Sequence, residues 1–216
     1  KYSEGIIGEP RFINPLLSQL SDADRDISAI IYSGLMENAG NGSFVSDLAE
    51  RYEISSDGLT YTFYLKKNIK WHDNTAFTAD DVVFTILAAQ DPEYASSQRI
   101  NWQGVEIEKI DDYTVKFKLK NKYAQFLSNT TIGILPKHIW QGTKPINFSL
   151  SERNIKPIGT GPFKFEKLRK DSIGRIVSYE LSAFKNYYNS QSGRPYLDSI
   201  TFKFYGSEEE MLRAYN

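Results

Sequence analysis

Apolar and polar residues alternate most regularly from Leu59 to Leu65, where Leu59, Tyr61, Phe63 and Leu65 share one face of a strand that follows Asp57-Gly58. Glycine tolerates positive φ and aspartate bonds back to nearby backbone, so this dipeptide predicts a turn. The turn closes a hairpin over residues 48–66, with Ala49 to Ile54 as its first arm. Thr78 stands three residues before Asp81, the spacing of a capping box, with Phe77 and Val82 at the staple positions on either side. Asp80 and Asp81 also suit the positive end of the helix dipole. Hairpin, strand and capped helix therefore follow one another without a break.

A second helix is predicted over residues 22–32, because Ala23, Ile27, Ile30 and Ile31 recur at helical spacing while Asp24, Arg25 and Asp26 are assigned to water, and Gly34 is its expected stop. Before it, Tyr2 to Gly8 reads as a strand and Glu9 to Leu16 as a loop held extended by Pro10 and Pro15. Val105, Ile107, Val115, Phe117 and Leu119 alternate around Asp111-Asp112 as another hairpin. Tyr123 to Ser128 follows as a short helix, Ile132 to Trp140 as an extended segment, and Lys144 to Ile158 as a polar stretch with two prolines. Strand-like runs then recur toward Tyr205, and a terminal helix spans Glu208 to Tyr215; these are expected to rejoin the first strand in one sheet. The turn-rich Asn38 to Ser43 and the polar stretch before Gly159 mark two crossings. They divide the chain into a body made of residues 1–37 and 154–216 and an inserted strand-rich subdomain at 38–153.

Composition narrows the functional classes. The 216 residues are 40% hydrophobic, enough for a sizeable core, and 26 basic against 27 acidic residues leave no field that would attract nucleic acid. Zero cysteines exclude disulfides, thiolate metal sites and cysteine nucleophiles. No apolar run approaches the roughly 20 residues of a membrane span. The aromatic residues Tyr61, Phe63, Phe117, Phe163, Phe165, Phe202 and Phe204 alternate within strands and are assigned to the core.

Chemistry-bearing patterns are weak throughout. Asp22 to Asp26 opens like a calcium loop, but Ile27 stands where glycine is needed and Ser33 where a bidentate glutamate is needed. His72 and His138 are the two histidines, too few for a transition-metal site built by this chain alone. Gly159-Thr160-Gly161-Pro162 lacks the spacing and the lysine of a phosphate loop and reads as a tight turn entering a strand. In Trp71-His72-Asp73, neighbours on a strand point to opposite faces, so His72 is read as a structural residue at a strand end. No catalytic residue, metal or cofactor is expected from these patterns; that the chain is a binder and not an enzyme is what the resemblance described next implies.

The stretch DGLTYTFYLKKNIKWHDNTAFTADDVVF, from Asp57 to Phe84, resembles the bacterial extracellular solute-binding proteins of family 5, the peptide and nickel receptors of ABC importers. Asn14-Pro15-Leu16, Leu135-Pro136-Lys137-His138, Gly159-Thr160-Gly161-Pro162, Asn186-Tyr187-Tyr188 and Gly193 to Ile200 follow in the family's order, with Tyr187-Tyr188 where the family usually has Tyr-Trp. The resemblance implies an α/β, periplasmic-binding-protein-like lobe, a mixed sheet with helices, carrying the inserted subdomain. It further implies that a second lobe, with much of the pocket, lies beyond Asn216, and that a leader was removed before Lys1. By kinship the protein is extracellular or periplasmic, lipid-anchored in many relatives, monomeric, and partnered by an ABC permease. Its implied ligand is an oligopeptide, with an oligosaccharide or a nickel chelate as alternatives on the same scaffold. A rival reading is an interaction module that holds no solute. The segment matching the family's ligand-contact loop is Ser18, Gln19, Leu20, Ser21, Asp22 and Ala23; the plain role of Ser21 or Asp22 is to cap the helix, and both roles can coexist. Arg11, Tyr32 and His138 are secondary candidates.

Overall fold

In the computed structural model, which describes residues 1–189 and 195–215, strand β1 (Tyr2–Ile7) runs parallel to β10 (Ser199–Tyr205), with Tyr2 opposite Ile200 and Ile7 opposite Tyr205. Antiparallel neighbours β9 (Ile176–Ala183) and β8 (Phe163–Lys170) complete a four-stranded sheet of order β1-β10-β9-β8. The first strand and the last three are thus joined, as alternation leads one to expect. Phe163, Tyr179, Leu181, Ile200, Phe202 and Phe204 are buried in the core. The Gly193-Arg194 pair of the resemblance lies outside the described residues.

Between these strands the chain builds a second, fully antiparallel sheet from β4 (Ala49–Ile54), β5 (Thr60–Leu65), β6 (Val105–Asp111) and β7 (Thr114–Leu119), in the order β4-β5-β7-β6. Tyr61, Phe63 and Leu65 bury one face of β5, and the Phe63 and Phe117 rings meet edge to face at 5.6 Å. Helix α2 (Ala79–Gln90) packs on β6 and β7. A small hairpin, β2 (Met36–Asn38) with β3 (Phe44–Ser46), precedes this sheet, and α6 (Glu208–Tyr215) closes the chain against β1 and β10. Short helices α3 (Arg99–Trp102) and α4 (Phe126–Asn129) add Trp102 and Phe126 to the aromatic cluster around Phe117.

Three local expectations differ from the structure. Residues 137–140 are not extended but form a helical turn, α5 (Lys137–Trp140), because the Asp81 carboxylate, 56 positions away, accepts the Lys137 N–H at 2.8 Å. The same carboxylate accepts Thr78 N–H at 3.0 Å and Trp71 Nε1–H at 3.4 Å, so the capping residue of α2 is also a buried hub. Helix α1 (Asp22–Ile31) ends at an extended Tyr32, and Gly34 serves a different purpose: a Cβ there would lie 2.7 Å from the Thr131 backbone. Asp24 does not face water. It is 2% exposed and accepts the Arg11 N–H at 2.7 Å, tying the proline loop to α1.

The return of the chain beside α1 is a tight passage. A Cβ on Gly159 would stand 1.9 Å from the Ile31 carbonyl oxygen, and Gly161 donates its N–H to that oxygen at 2.8 Å. His72 locks the passage from the other side: its backbone N–H donates to Gly159 O at 2.9 Å, its Nδ1 accepts Gly159 N–H at 3.1 Å, and its Nε2 lies 3.0 Å from Gly161 O. With Nδ1 accepting, the proton sits on Nε2 and donates to Gly161, so the ring is neutral. Burial holds the imidazole down at about 4.

Two outcomes follow from this geometry. Gly159→Ala forces the Ile31 backbone aside and is expected to cost at least about 3 kcal/mol, the upper range for overpacking, read as a lower urea midpoint. The folded state resists protonation of His72, so its contribution is complete above the unfolded value near 6.5 and is lost as pH falls toward about 4. Compared with His72→Gln, the wild-type stability advantage should shrink by up to about 3 kcal/mol across that window in denaturant titrations.

Candidate functional site

A cavity of about 650 Å³ opens along one side of α1. Its walls come from one side of α1 (Arg25, the buried Ser28, Ala29), the chain just past that helix (Tyr32, Ser33, Gly34), the β2 residues Glu37 and Asn38, Asp47, the 128–133 segment after α4 begins, and Gln98 and Asn101 around α3. Segments far apart in the sequence meet here. Hydroxyl and carboxamide groups dominate the lining, with Ile30, Met36 and Ile132 as apolar relief. The volume falls within the range of small-molecule clefts, while the lining is more polar than most.

The loop singled out from the sequence borders this cavity at one end. Ser18 and Gln19 are part of the wall. Leu20 stands 86% exposed on the same helical turn, Ser18 to Leu20. Ser21 caps α1, its hydroxyl accepting Asp24 N–H at 3.4 Å; Asp22 is exposed and accepts from the Arg25 guanidinium at 2.7 Å; Ala23 is buried in the core. Of the secondary candidates, Tyr32 lines the cavity. Arg11 is engaged through its backbone with Asp24, and His138 Nε2 pairs with Asp73 at 2.7 Å, both away from the wall.

Buried polar bonds fix that loop in place. Asn14 donates from Nδ2 to Asn154 Oδ1 at 2.9 Å, while its own Oδ1 accepts Leu16 N–H at 3.0 Å and Asn154 O accepts Ile13 N–H at 2.8 Å. Ser96 adds a hydrogen bond to Leu16 O at 2.9 Å. A loop with two prolines is thereby held from both later segments of the chain.

Asp47 is the functional-looking residue that sequence reasoning missed. It is 6% exposed, lines the cavity, and accepts from the Tyr188 hydroxyl and from Ser33. Burial, with the like charge of Glu37, lifts its carboxyl to about 6 despite those donors and the nearby Lys66. The available signal was an isolated acid between the apolar pairs Phe44-Val45 and Leu48-Ala49. Among the described residues, no three His, Cys, Asp or Glu side chains converge to hold a metal ion, and no helix is long and apolar enough to cross a membrane.

Residues 43–216 match the family described as bacterial extracellular solute-binding proteins, family 5 Middle. This chain belongs to that family. Within it, the family 5 chain is 37% identical over 203 residues to the oligopeptide-binding protein AppA of Bacillus subtilis, covering 92% of this chain and 36% of AppA. It is 34% identical over 218 residues to the dipeptide-binding protein of Escherichia coli, covering 90% of this chain and 39% of that relative. The chain therefore spans well under half the length of these relatives. Structurally it is similar to NikZ of Campylobacter jejuni in complex with Ni(L-His), with a TM-score of 0.86 at 32% identity over 99% of this chain and 41% of NikZ. It is likewise similar to Bacillus subtilis AppA in complex with a nonapeptide, with a TM-score of 0.85 at 36% identity over 94% of this chain and 40% of that one. The fold is thus the mixed α/β fold of periplasmic binding proteins.

The buried Asp47 makes a prediction of definite sign. Its folded-state value lies above the ordinary 3.8, so the folded state gains stability as pH falls through that interval and forgoes it above about 6. Asp47→Asn, which keeps an acceptor for Tyr188, is expected to be more stable than wild type at neutral pH by up to about 3 kcal/mol, with the difference closing toward about pH 4 in urea melts at several pH values.

Proposed function

We propose that this chain supplies one lobe of the substrate-binding component of an ABC importer, capturing oligopeptides without altering them. The observation that carries this reading is the hydroxyl- and carboxamide-lined cavity beside the Ser18–Leu20 turn, in a chain whose relatives include an oligopeptide- and a dipeptide-binding protein. Such a lining offers hydrogen bonds to peptide amides and room for water around variable side chains, which gives affinity without strict sequence preference.

In this proposal residues 1–37 and 154–216 form the lobe, residues 38–153 its strand-rich subdomain, and Ser18 to Ala23 the ligand-contact loop. On this reading Ser18, Gln19 and Leu20 touch the ligand, supported by the first two lining the cavity and by the exposure of Leu20, while Ser21, Asp22 and Ala23 hold the loop on α1. A second lobe, drawn from the part of the relatives' length that this chain does not span, closes over the cavity; a ligand touching both lobes binds the closed state preferentially. The closed form is what the permease receives, at the outer face of the membrane. Peptide is favoured over a metal chelate because both histidines are already engaged, His72 with Gly159 and Gly161 and His138 with Asp73.

Thermal shift of the full-length protein with trialanine, a maltooligosaccharide and Ni(L-His) tests this. A ligand that binds only the folded state must raise the midpoint, by roughly RT ln(1 + [L]/Kd) in stability. Trialanine is expected to raise it and the other two to leave it unchanged. A response to the sugar or the chelate alone would replace the peptide reading, and no response to any solute would favour an interaction module.

A further inference from the structure

Asn41-Gly42 is the single Asn-Gly pair in the sequence, and it lies at the tip of the β2–β3 hairpin, where Asn38 pairs with Phe44 and Ala39 N–H donates to Ser43 O at 3.0 Å. Both residues are exposed. Gly42 has a φ of 82°, a Cβ built there would meet nothing within 4 Å, and its N–H makes no hydrogen bond among the described residues. The Gly42 nitrogen is therefore open to the side chain before it, with no steric cover and no bond to give up. The Asn41 carboxamide oxygen accepts the Ser43 N–H at 3.0 Å and the Ser43 hydroxyl at 2.6 Å. Two donors on one carbonyl oxygen draw electron density from its carbon and stabilise negative charge that develops on that oxygen.

Asp57-Gly58, the one Asp-Gly pair in the sequence, provides the contrast. Gly58 N–H is committed to Ser55 O at 2.8 Å, and the Asp57 carboxylate accepts from the Ser55 hydroxyl at 2.5 Å and from Leu59 N–H at 3.0 Å, donors that hold it below the usual carboxylate range and so ionised. There the nitrogen is occupied and the carboxylate, as an anion, resists attack. We propose that Asn41 is a site of self-modification, in which the Gly42 backbone nitrogen closes on the Asn41 side chain and the residue becomes aspartate and isoaspartate. Gly42 N gives its proton to water or hydroxide and bonds to Asn41 Cγ; the Cγ–Nδ2 bond then breaks, and Nδ2 takes a proton from solvent and leaves as ammonia. One water opens the resulting five-membered imide, at Cγ to give aspartate or at the main-chain carbonyl to give isoaspartate. No oxidant, reductant or second protein enters the step. Either product adds a negative charge, and isoaspartate also inserts a methylene into the main chain. Because β2 carries Glu37 and Asn38 in the cavity wall, a longer turn at its end displaces that wall. The modification itself does not depend on what the cavity binds.

Incubating the full-length protein at mildly alkaline pH, with peptide mass spectrometry and electron-transfer fragmentation at intervals, tests this. The peptide carrying residue 41 is expected to gain roughly 1 Da and to contain both aspartate and isoaspartate there, while Asp57 keeps its ordinary linkage. Gly42→Ala is expected to slow the conversion at least about tenfold, since it puts a Cβ beside the attacking nitrogen and narrows its φ. Ser43→Ala keeps the backbone donor and removes the hydroxyl; it is expected to slow the folded protein about threefold and to leave the rate in urea unchanged. Ion exchange separates the more acidic product, whose amide spectrum is expected to differ from wild type at Glu37 and Asn38. An Asn41 that stays intact in the folded protein while the chain in urea reacts would overturn the proposal. So would a Ser43→Ala variant that reacts as fast as wild type when folded, or isoaspartate forming first at Asp57. A product whose Glu37 and Asn38 amides coincide with those of wild type would overturn the coupling to the cavity wall.

Discussion

The approach of the returning chain to the end of α1 constrains most of what surrounds it. Gly159 and Gly161 lie against the Ile31 carbonyl, so close that no side chain fits on Gly159, and His72 clasps the same two glycines from the strand-rich side with three hydrogen bonds. Three segments far apart in sequence are fixed at one point. Because Gly161 caps the Ile31 carbonyl, α1 ends there, Tyr32 turns extended, and the following residues run out along the cavity. Because β8 starts two residues after Gly161, the sheet that receives β1 begins in register with that junction. A neutral, buried imidazole suits this position because it donates from one nitrogen and accepts at the other, which neither an ammonium nor a carboxylate can do.

The proline loop is stabilised by a comparable economy of buried polar groups. Asn14 and Asn154 satisfy one another and the adjoining backbone, Asp24 accepts from Arg11, and Ser96 reaches Leu16. Each bond ties the proline loop to a different part of the chain, so the loop keeps its shape without secondary structure of its own. Asp47 stands apart from this pattern. Its burial opposes ionisation and is only partly offset by Tyr188 and Ser33.

The elements legible in the sequence are those whose cause is local. The Asp57-Gly58 turn, the alternation through β5, the helical spacing of Ala23, Ile27 and Ile31, and the box at Thr78 and Asp81 each depend on residues within a few positions, and each forms as read. Expectations depart from the structure wherever the decisive partner is distant. Asp24 reads as solvent-facing because its neighbours are charged, but Arg11 gives it a buried amide. Residues 137–140 read as extended because nothing nearby in the chain shows that Asp81 caps them, and Gly34 reads as a helix stop because the Thr131 backbone beside it is almost a hundred positions away. The Ser18–Ala23 segment is picked out by its likeness to a family motif, whereas Asp47, Gln98, Asn101 and the 128–133 segment of the cavity wall carry no local signature.

By itself, then, the order of residues determined the strands and the helix caps, since hydrophobic periodicity and turn chemistry act over a few residues, while the family and the position of one loop came from the likeness of its motifs. Only the tertiary structure decided which polar side chains are buried, which glycines are there for contact and not for turning, and how widely separated segments enclose one cavity. The physical reason is that desolvation and close packing depend on neighbours brought from anywhere in the chain, and a carboxylate or an imidazole has no fixed role until those neighbours are in place.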